Sequence, residues 1–138
     1  MRRRPLGSGG PSLSRVGFGA WGVGGPWKFG WGPVDDDESI AAIRHALAAG
    51  VNWVDTAAVY GVGHSEEIVR SAVSPFSVGE EVYVFTKCGR NWYGKNGEIE
   101  NDLRPESIRF ECEQSLRRLG VERIDLYQFH WPDWSTGT

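Results

Sequence analysis

The chain has 138 residues, and its 15 Lys and Arg against 18 Asp and Glu give a net charge of −3 at pH 7 and a pI of about 5.6. The length predicts one domain with its own core, and the acidic balance excludes the basic surface expected of a nucleic-acid-binding protein. No apolar run is long enough to span a membrane, and no apolar segment follows Arg2–Arg4 as in a signal peptide. Two cysteines, without zinc-type spacing, make a disulfide framework or a metal site unexpected. We therefore expect a cytoplasmic protein.

The first 34 residues are predicted to hold little regular structure. Two polar arms flank the turn-rich segment 7–11, which predicts a hairpin over residues 2–16. Residues 16–19 predict a brief strand, and a loop rich in Gly, Trp and Pro follows up to residue 34.

Three helices are predicted in the rest of the chain. Asp35 and Glu38 have the spacing of a capping box, and Gly50 ends the helix that they begin. A second, shorter helix opens at Ser65. The third has Pro105 in its first turn, where proline is favoured, and ends at Gly120; its predicted inner face carries Ile108, Cys112, Ser115, Leu116 and Leu119.

Strands are predicted between these helices, at residues 51–54, 82–87 and 124–129, with a polar loop at residues 89–102. Together with residues 16–19 they give a hairpin followed by a βαβαβαβ pattern. Strands separated by single helices predict a parallel sheet, which belongs either to a barrel or to a doubly wound fold.

The segment Gly17-Phe-Gly19-Ala-Trp-Gly22 matches the G-x-G-x-x-G pattern of dinucleotide-binding proteins. That fingerprint requires a helix that opens at its last glycine, so that backbone amides point at the pyrophosphate. Here further Gly and Pro residues delay the next helix to about Asp36. A dinucleotide fingerprint is therefore the less favoured interpretation of this segment.

Three ionisable residues lie where predicted strands end: Asp55, Lys87 and His130. Each alone fits a structural role, as a turn cap, a solvated strand end and a buried imidazole respectively. Barrels of βα units, however, take catalytic groups from several strand ends on one face. Because all three would share that rim, we favour a functional interpretation.

The same residues would support acid–base chemistry together with Tyr60 in the following loop. If Asp55 and Lys87 pair, the ammonium can face Tyr60 and lower the pKa of its phenol from about 10. Tyr60 would then act as a general acid or base, while His130 orients a substrate oxygen. The set has no hydride donor and no metal ligands, so a redox cofactor is implied.

These motifs resemble those of the aldo-keto reductase superfamily. The resemblance extends from about residue 3 to residue 133. It rests on Asp55-Thr-Ala-Ala-Val-Tyr60-Gly, Gly63-His-Ser-Glu66, Thr86-Lys87, Gln128-Phe-His130-Trp-Pro-Asp133, Leu116-Arg-Arg-Leu-Gly120 and Val16-Gly-Phe-Gly19-Ala-Trp21.

The resemblance implies a (β/α)8 TIM barrel and NADP(H)-dependent interconversion of small carbonyl compounds and alcohols. It implies that Tyr60 is the proton donor, that Lys87 and Asp55 tune it, and that His130 orients the substrate. Trp21 and Asp55 would contact the nicotinamide end of the cofactor. The remaining aromatic loop residues Trp27, Trp31 and Trp92 fit either a substrate-pocket wall or loop packing.

A TIM barrel needs roughly 250 residues, so residues 1–138 are expected to form a single partial domain, an incomplete half-barrel. The resemblance assigns the grip on the cofactor's phosphates and adenosine mainly to later strands. Open sheet edges also predict self-association. The alternative function is thus a catalytically silent half-barrel that acts through a second copy or another partner.

Overall fold

The structure is a computed structural model and describes residues 1–94 and 97–136. Over these residues it confirms the predicted α/β fold, with a four-stranded parallel sheet, three α-helices and two short antiparallel ladders. No helix in this part of the chain is long and apolar enough to cross a membrane.

The predicted N-terminal hairpin is present. Strands β1 (Arg3–Pro5) and β2 (Ser12–Ser14) pair antiparallel. Asn52 connects the hairpin to the sheet. Its side-chain oxygen accepts a hydrogen bond from the backbone N–H of Ser14 at 2.7 Å, and its backbone N–H donates to Ser14 Oγ at 3.1 Å. The hairpin therefore caps the end of the sheet at which the strands begin.

The main sheet contains β3 (Phe18–Gly19), β4 (Trp53–Asp55), β5 (Tyr83–Cys88) and β8 (Leu126–Phe129), all parallel. Their order in space is the order in the chain, β3-β4-β5-β8. A doubly wound sheet reverses its strand order at a switch point. The uninterrupted order supports the barrel alternative, and the fold is that of part of a (β/α)8 barrel.

The helices lie where capping and periodicity predict them. They are α1 (Asp36–Ala48), α2 (His64–Val73) and α3 (Pro105–Leu119). Asp35 caps α1 by accepting a hydrogen bond from the Glu38 amide at 2.9 Å. Gly120 ends α3 with a φ of 65°, a left-handed conformation that glycine adopts without a steric cost.

The two faces of the sheet differ in burial because side chains alternate along a strand. Val54 and Val84, on the face covered by the helices, are fully buried in a core that includes Ile43, Val69 and Leu119. The opposite face carries Trp53 and Asp55 on β4, Tyr83, Phe85 and Lys87 on β5, and Leu126 and Gln128 on β8, as the parallel register dictates. All of these except Phe85 are half-buried. This second face corresponds to the interior face of a (β/α)8 barrel sheet.

Two details differ from the predictions. The polar loop after β5 contains a short antiparallel ladder of β6 (Arg90–Asn91) and β7 (Glu100–Asn101). The inner face of α3 also includes Glu111, which is fully buried, whereas Ile108, Cys112 and Leu116 are only half-buried. Glu111 is satisfied there because both of its carboxylate oxygens accept a hydrogen bond from the Gly89 amide, at 3.1 and 3.2 Å.

Candidate active site

The three strand-end residues lie on one rim of the sheet. Asp55 is the last residue of β4, Lys87 is the penultimate residue of β5, and His130 directly follows β8. Parallel strands bring their carboxyl ends to the same edge, so these side chains share the end of the sheet opposite the hairpin.

Asp55 and Lys87 form the predicted ion pair. Lys87 Nζ donates to Asp55 Oδ2 at 2.6 Å and to the backbone carbonyl of Thr56 at 2.8 Å. The second carboxylate oxygen of Asp55 accepts a hydrogen bond from Gln128 Nε2 at 3.1 Å. Side chains from β5 and β8 thereby hold the Asp55 carboxylate in place, and the carboxylate in turn fixes the Lys87 ammonium.

Gln128 is a residue of the site that the sequence reasoning did not single out. It belongs to the Gln128-Phe-His130 motif, which does not by itself indicate a role for the amide. Its position in the sheet indicates the role, because Gln128 is in register with Lys87 and therefore points to the same face of the sheet.

Tyr60 lies in the turn that follows β4. Its 3₁₀ turn, Tyr60–Gly63, is interrupted by left-handed backbone at Gly61 (φ 61°) and Val62 (φ 48°). A Cβ on Gly61 would overlap the carbonyl oxygen of Gly24. Glycine at position 61 therefore allows this turn to pack against the loop after β3.

The Tyr60 ring lies close to both Lys87 and His130. Lys87 Nζ lies 5.3 Å from the centre of the ring. The His130 ring meets the Tyr60 ring edge-to-face, with the ring centres 5.4 Å apart and the planes at 87°. The four predicted residues thus form one cluster.

The pKa of Tyr60 is raised above its usual value, first by burial and second by the negative charge of Asp55. The predicted net decrease of this pKa is therefore wrong for the structure. The physical reason is that Lys87 Nζ is paired with Asp55 Oδ2 at 2.6 Å, so that the carboxylate offsets its charge, while partial burial penalises the phenolate. Tyr60 is consequently a neutral phenol at pH 7.

The pKa of His130 is lowered to about 4, mainly by burial and further by the positive charges of Lys87 and Arg90, with Asp55 acting in the opposite direction. The imidazole is therefore neutral at pH 7, and each ring nitrogen serves either as a donor or as an acceptor.

The cluster opens into a cleft of about 370 Å³ with a mostly aromatic lining. It is lined by Trp21, Trp27, Phe29, Val59, Tyr60, Arg90, His130 and Trp131. Of Trp27, Trp31 and Trp92, for which the sequence allows either a pocket wall or loop packing, only Trp27 lines this cleft. Trp31 instead packs edge-on against Trp21 with ring centres 5.6 Å apart. Trp92 stacks on Tyr93 and carries Arg118 over its face at 5.5 Å, so both follow the loop-packing interpretation.

The Aldo/keto reductase family model matches residues 15–137. The chain belongs to the aldo/keto reductase family. Its relatives include aldo-keto reductase YhdN of Bacillus subtilis (strain 168), 42% identical over 124 residues, and the NADH-specific methylglyoxal reductase of Escherichia coli (strain K12), 40% identical over 141 residues. These alignments cover 90% and 95% of this chain, but 36% and 42% of the relatives.

Solved structures of the family have the same fold. The glycerol dehydrogenase AKR11B4 from Gluconobacter oxydans superimposes with a TM-score of 0.81 at 45% identity, over 98% of this chain and 41% of that one. The holo form of aldo-keto reductase AKR11C1 from Bacillus halodurans gives a TM-score of 0.81 at 27% identity, over 98% and 42%. The chain thus spans about two fifths of the length of its relatives.

Beside Asp55, next to the cleft, there is open space where the family implies the nicotinamide end of the cofactor. On β3, Gly19 is in register with Asp55, and a Cβ added to Gly19 would meet no atom within 4 Å. The floor beside Asp55 is therefore open to a flat ring. Trp21, 42% exposed and two residues after this strand, lines the neighbouring cleft and offers an aromatic wall.

The G-x-G-x-x-G segment does not form a dinucleotide fingerprint. Gly22 begins a three-residue 3₁₀ turn, Gly22–Gly24, and α1 starts only at Asp36. No α-helix N-terminus therefore points at a phosphate from the last glycine, as expected from the sequence. In the described residues, no group of three or more His, Cys, Asp or Glu side chains could hold a metal ion.

Proposed function

We propose that this chain carries the acid–base site of an NAD(P)H-dependent reductase that converts small aldehydes or ketones into alcohols. The observation that carries the proposal is the cluster itself: a lysine locked onto an aspartate at 2.6 Å, beside a tyrosine and a histidine that both line one cleft. Membership of the aldo/keto reductase family supports the oxidoreductase class.

Tyr60 is the proposed proton donor. Its phenol is protonated at pH 7, as a proton donor must be, although the raised pKa makes it a weaker acid. As the proton leaves, negative charge develops on the phenol oxygen near the Lys87 ammonium. A fixed cation that faces developing charge stabilises the transition state more than the ground state. Lys87 is therefore proposed to favour loss of the proton, an effect on the pKa of Tyr60 that burial and the charge of Asp55 outweigh.

Asp55 is the proposed support for Lys87. It accepts hydrogen bonds from both Lys87 and Gln128, which orients the ammonium. Neutral His130 is proposed to donate a hydrogen bond to the substrate carbonyl oxygen. Because its pKa is about 4, the rate should show no inflection near pH 6.5 from this imidazole.

Bound NADP(H) or NADH would supply the hydride. We propose that Trp21 and Asp55 contact its nicotinamide end at the open floor above Gly19. Later strands of the family barrel are proposed to supply most of the grip on phosphates and adenosine. We therefore expect residues 1–138 alone to bind the cofactor weakly and to turn over slowly.

The test compares Tyr60→Phe with Tyr83→Phe. Tyr83 begins β5, at the opposite end of the strand from Lys87, and its variant also loses one phenol hydroxyl. With NADPH and a small aldehyde, the consumption of NADPH by Tyr60→Phe should fall by about 100-fold or more. Tyr83→Phe should keep the activity of the parent chain. Equal activity in both variants would exclude Tyr60 as the proton donor.

A second candidate function is a half-barrel that acts through a second copy of the chain. The observation in its favour is that β8 pairs only with β5 among the described strands, and that Phe129 on this strand is 67% exposed. An edge of this kind invites strand pairing. Analytical ultracentrifugation and tryptophan quenching by NADPH separate the two candidates. A stable dimer without a cofactor response favours the second candidate, and a quenched monomer favours the reductase.

A further inference from the structure

Arg90 is a charged residue in the wall of an otherwise aromatic cleft. It follows β5 by two residues and begins β6. Its guanidinium carbon lies 4.9 Å from the centre of the Trp131 ring and 5.9 Å from that of Phe29, and both rings line the same cleft. These two contacts place the guanidinium at the cleft rather than in bulk solvent.

The charge of Arg90 is not neutralised by any carboxylate that the structure describes. Arg104, Arg117, Arg118 and Arg123 all form ion pairs over residues 1–94 and 97–136, whereas Arg90 takes part in none of them. Lys87, the other cation of the site, is paired with Asp55. Arg90 therefore contributes the uncompensated positive charge of the cleft.

The field of this charge extends to the position proposed for the reacting carbonyl group. Arg90 is one of the two cations that lower the pKa of His130, the residue proposed to hold the carbonyl oxygen. A substrate bound at His130 and Tyr60 is thus within the influence of the guanidinium.

We propose that Arg90 selects carbonyl substrates that carry a carboxylate group, such as short aldehyde-acids. A guanidinium is planar, is weakly hydrated and presents N–H groups in a fork that matches a carboxylate. Aromatic neighbours hold it through cation–π contacts without using those N–H groups. The inference rests on the proposed function, because Tyr60 and His130 define where the carbonyl end binds.

A purely structural role makes a different prediction. If Arg90 served only to hold Phe29 and Trp131 together, its loss would loosen the aromatic wall for every ligand, charged or neutral. A carboxylate-binding role predicts a loss confined to charged ligands. The charge dependence of binding therefore separates the two roles.

The experiment measures binding without cofactor or turnover. The tryptophans of the cleft (Trp21, Trp27 and Trp131) report binding through their fluorescence, and the ligands are 4-carboxybenzaldehyde and its neutral methyl ester. The parent chain should bind the carboxylate about 10-fold or more tightly than the ester, as expected for a charge-assisted hydrogen-bonded pair. Arg90→Gln should abolish this preference, and Arg90→Lys should keep only part of it.

Arg109→Gln is the matched control, because it removes one positive charge from an exposed position of α3. It should leave the preference unchanged. Three outcomes would overturn the proposal. The parent chain could bind the acid and the ester equally, Arg90→Gln could still prefer the acid, or Arg90→Gln could lose affinity for both ligands to the same extent. Tyr60→Phe should retain the preference even though it loses turnover. Selective binding in a chain whose turnover is insensitive to Tyr60→Phe would therefore refute the proposed function and leave the role of Arg90 intact.

Discussion

At the scale of single residues, the turn that carries Tyr60 is strained at Val62. It is the only non-glycine residue with a positive φ in the described chain, at 48°, and it is β-branched and 49% exposed. Left-handed backbone is costly for such a side chain, by about 1–2 kcal/mol. Strained residues concentrate near functional groups, and here the strain lies two residues after the proposed proton donor.

Replacing Val62 with glycine should stabilise the chain. Glycine relieves the left-handed strain but costs about 0.5–1 kcal/mol of backbone entropy, so that a net gain of up to about 1.5 kcal/mol is expected. Val16→Gly, at an exposed position without a positive φ, should instead be neutral or destabilising. Urea unfolding midpoints provide the comparison. A Val62→Gly variant less stable than Val16→Gly would show that the turn is not strained.

The identity of the site residues was accessible from the sequence, whereas their electrostatics were not. Asp55, Lys87 and His130 could be found because strand ends converge on one rim. The direction of the Tyr60 pKa shift depends on burial and on how far Asp55 offsets Lys87, and both are properties of packing. Arg90 was missed for a similar reason, since a loop residue acquires a position only from the rings that it contacts.

At the scale of elements, a buried ion pair connects α2 with α3. Glu66 on α2 is fully buried; its Oε1 accepts from Thr86 Oγ1 at 2.7 Å and its Oε2 from Arg118 Nε at 2.6 Å. Arg118 also donates to the Tyr93 hydroxyl at 2.9 Å. The pair therefore joins both helices, β5 and the loop after β5.

Removing the carboxylate at position 66 should destabilise the fold strongly. Glu66→Ala leaves the Arg118 guanidinium, whose side chain is 16% exposed, without its partner, and breaking such a pair costs about 3–5 kcal/mol. Glu67→Ala, at the next position but with a side chain 62% exposed, should cost less than about 0.5 kcal/mol. Unfolding in urea measures both variants. Similar midpoints for the two variants would contradict the structural role of the pair.

Helix patterns alone did not predict these buried acids. The apolar residues Ile68, Val69 and Ala72 of α2 have helical spacing and are buried. Glu66 and Glu111 are hydrophilic residues whose burial depends on partners far away in the sequence, Arg118 in one case and Gly89 in the other. A periodicity argument assigns such residues to the solvent.

At the scale of the whole molecule, the order of elements follows from local signals. Helix caps, glycine stops and short apolar strands predict the alternation, and sequential parallel pairing then identifies the barrel alternative. The β6–β7 ladder was not predicted, and the sequence left two alternatives open for Trp92. Trp92 contacts Arg118, which lies 26 positions further along the chain, and so depends on the tertiary packing of the loop against α3.

The assembly of Asp55, Tyr60, Lys87 and His130 into one acid–base site is tested most directly by an NMR titration of the His130 imidazole. The expected pKa is about 4, with an increase in Lys87→Gln and a decrease in Asp55→Asn, because the two charges act on the ring in opposite directions. Arg109→Gln should leave the pKa unchanged. A pKa near 6.5 in the parent chain, or one that responds to neither Lys87→Gln nor Asp55→Asn, would contradict the assembly of this site.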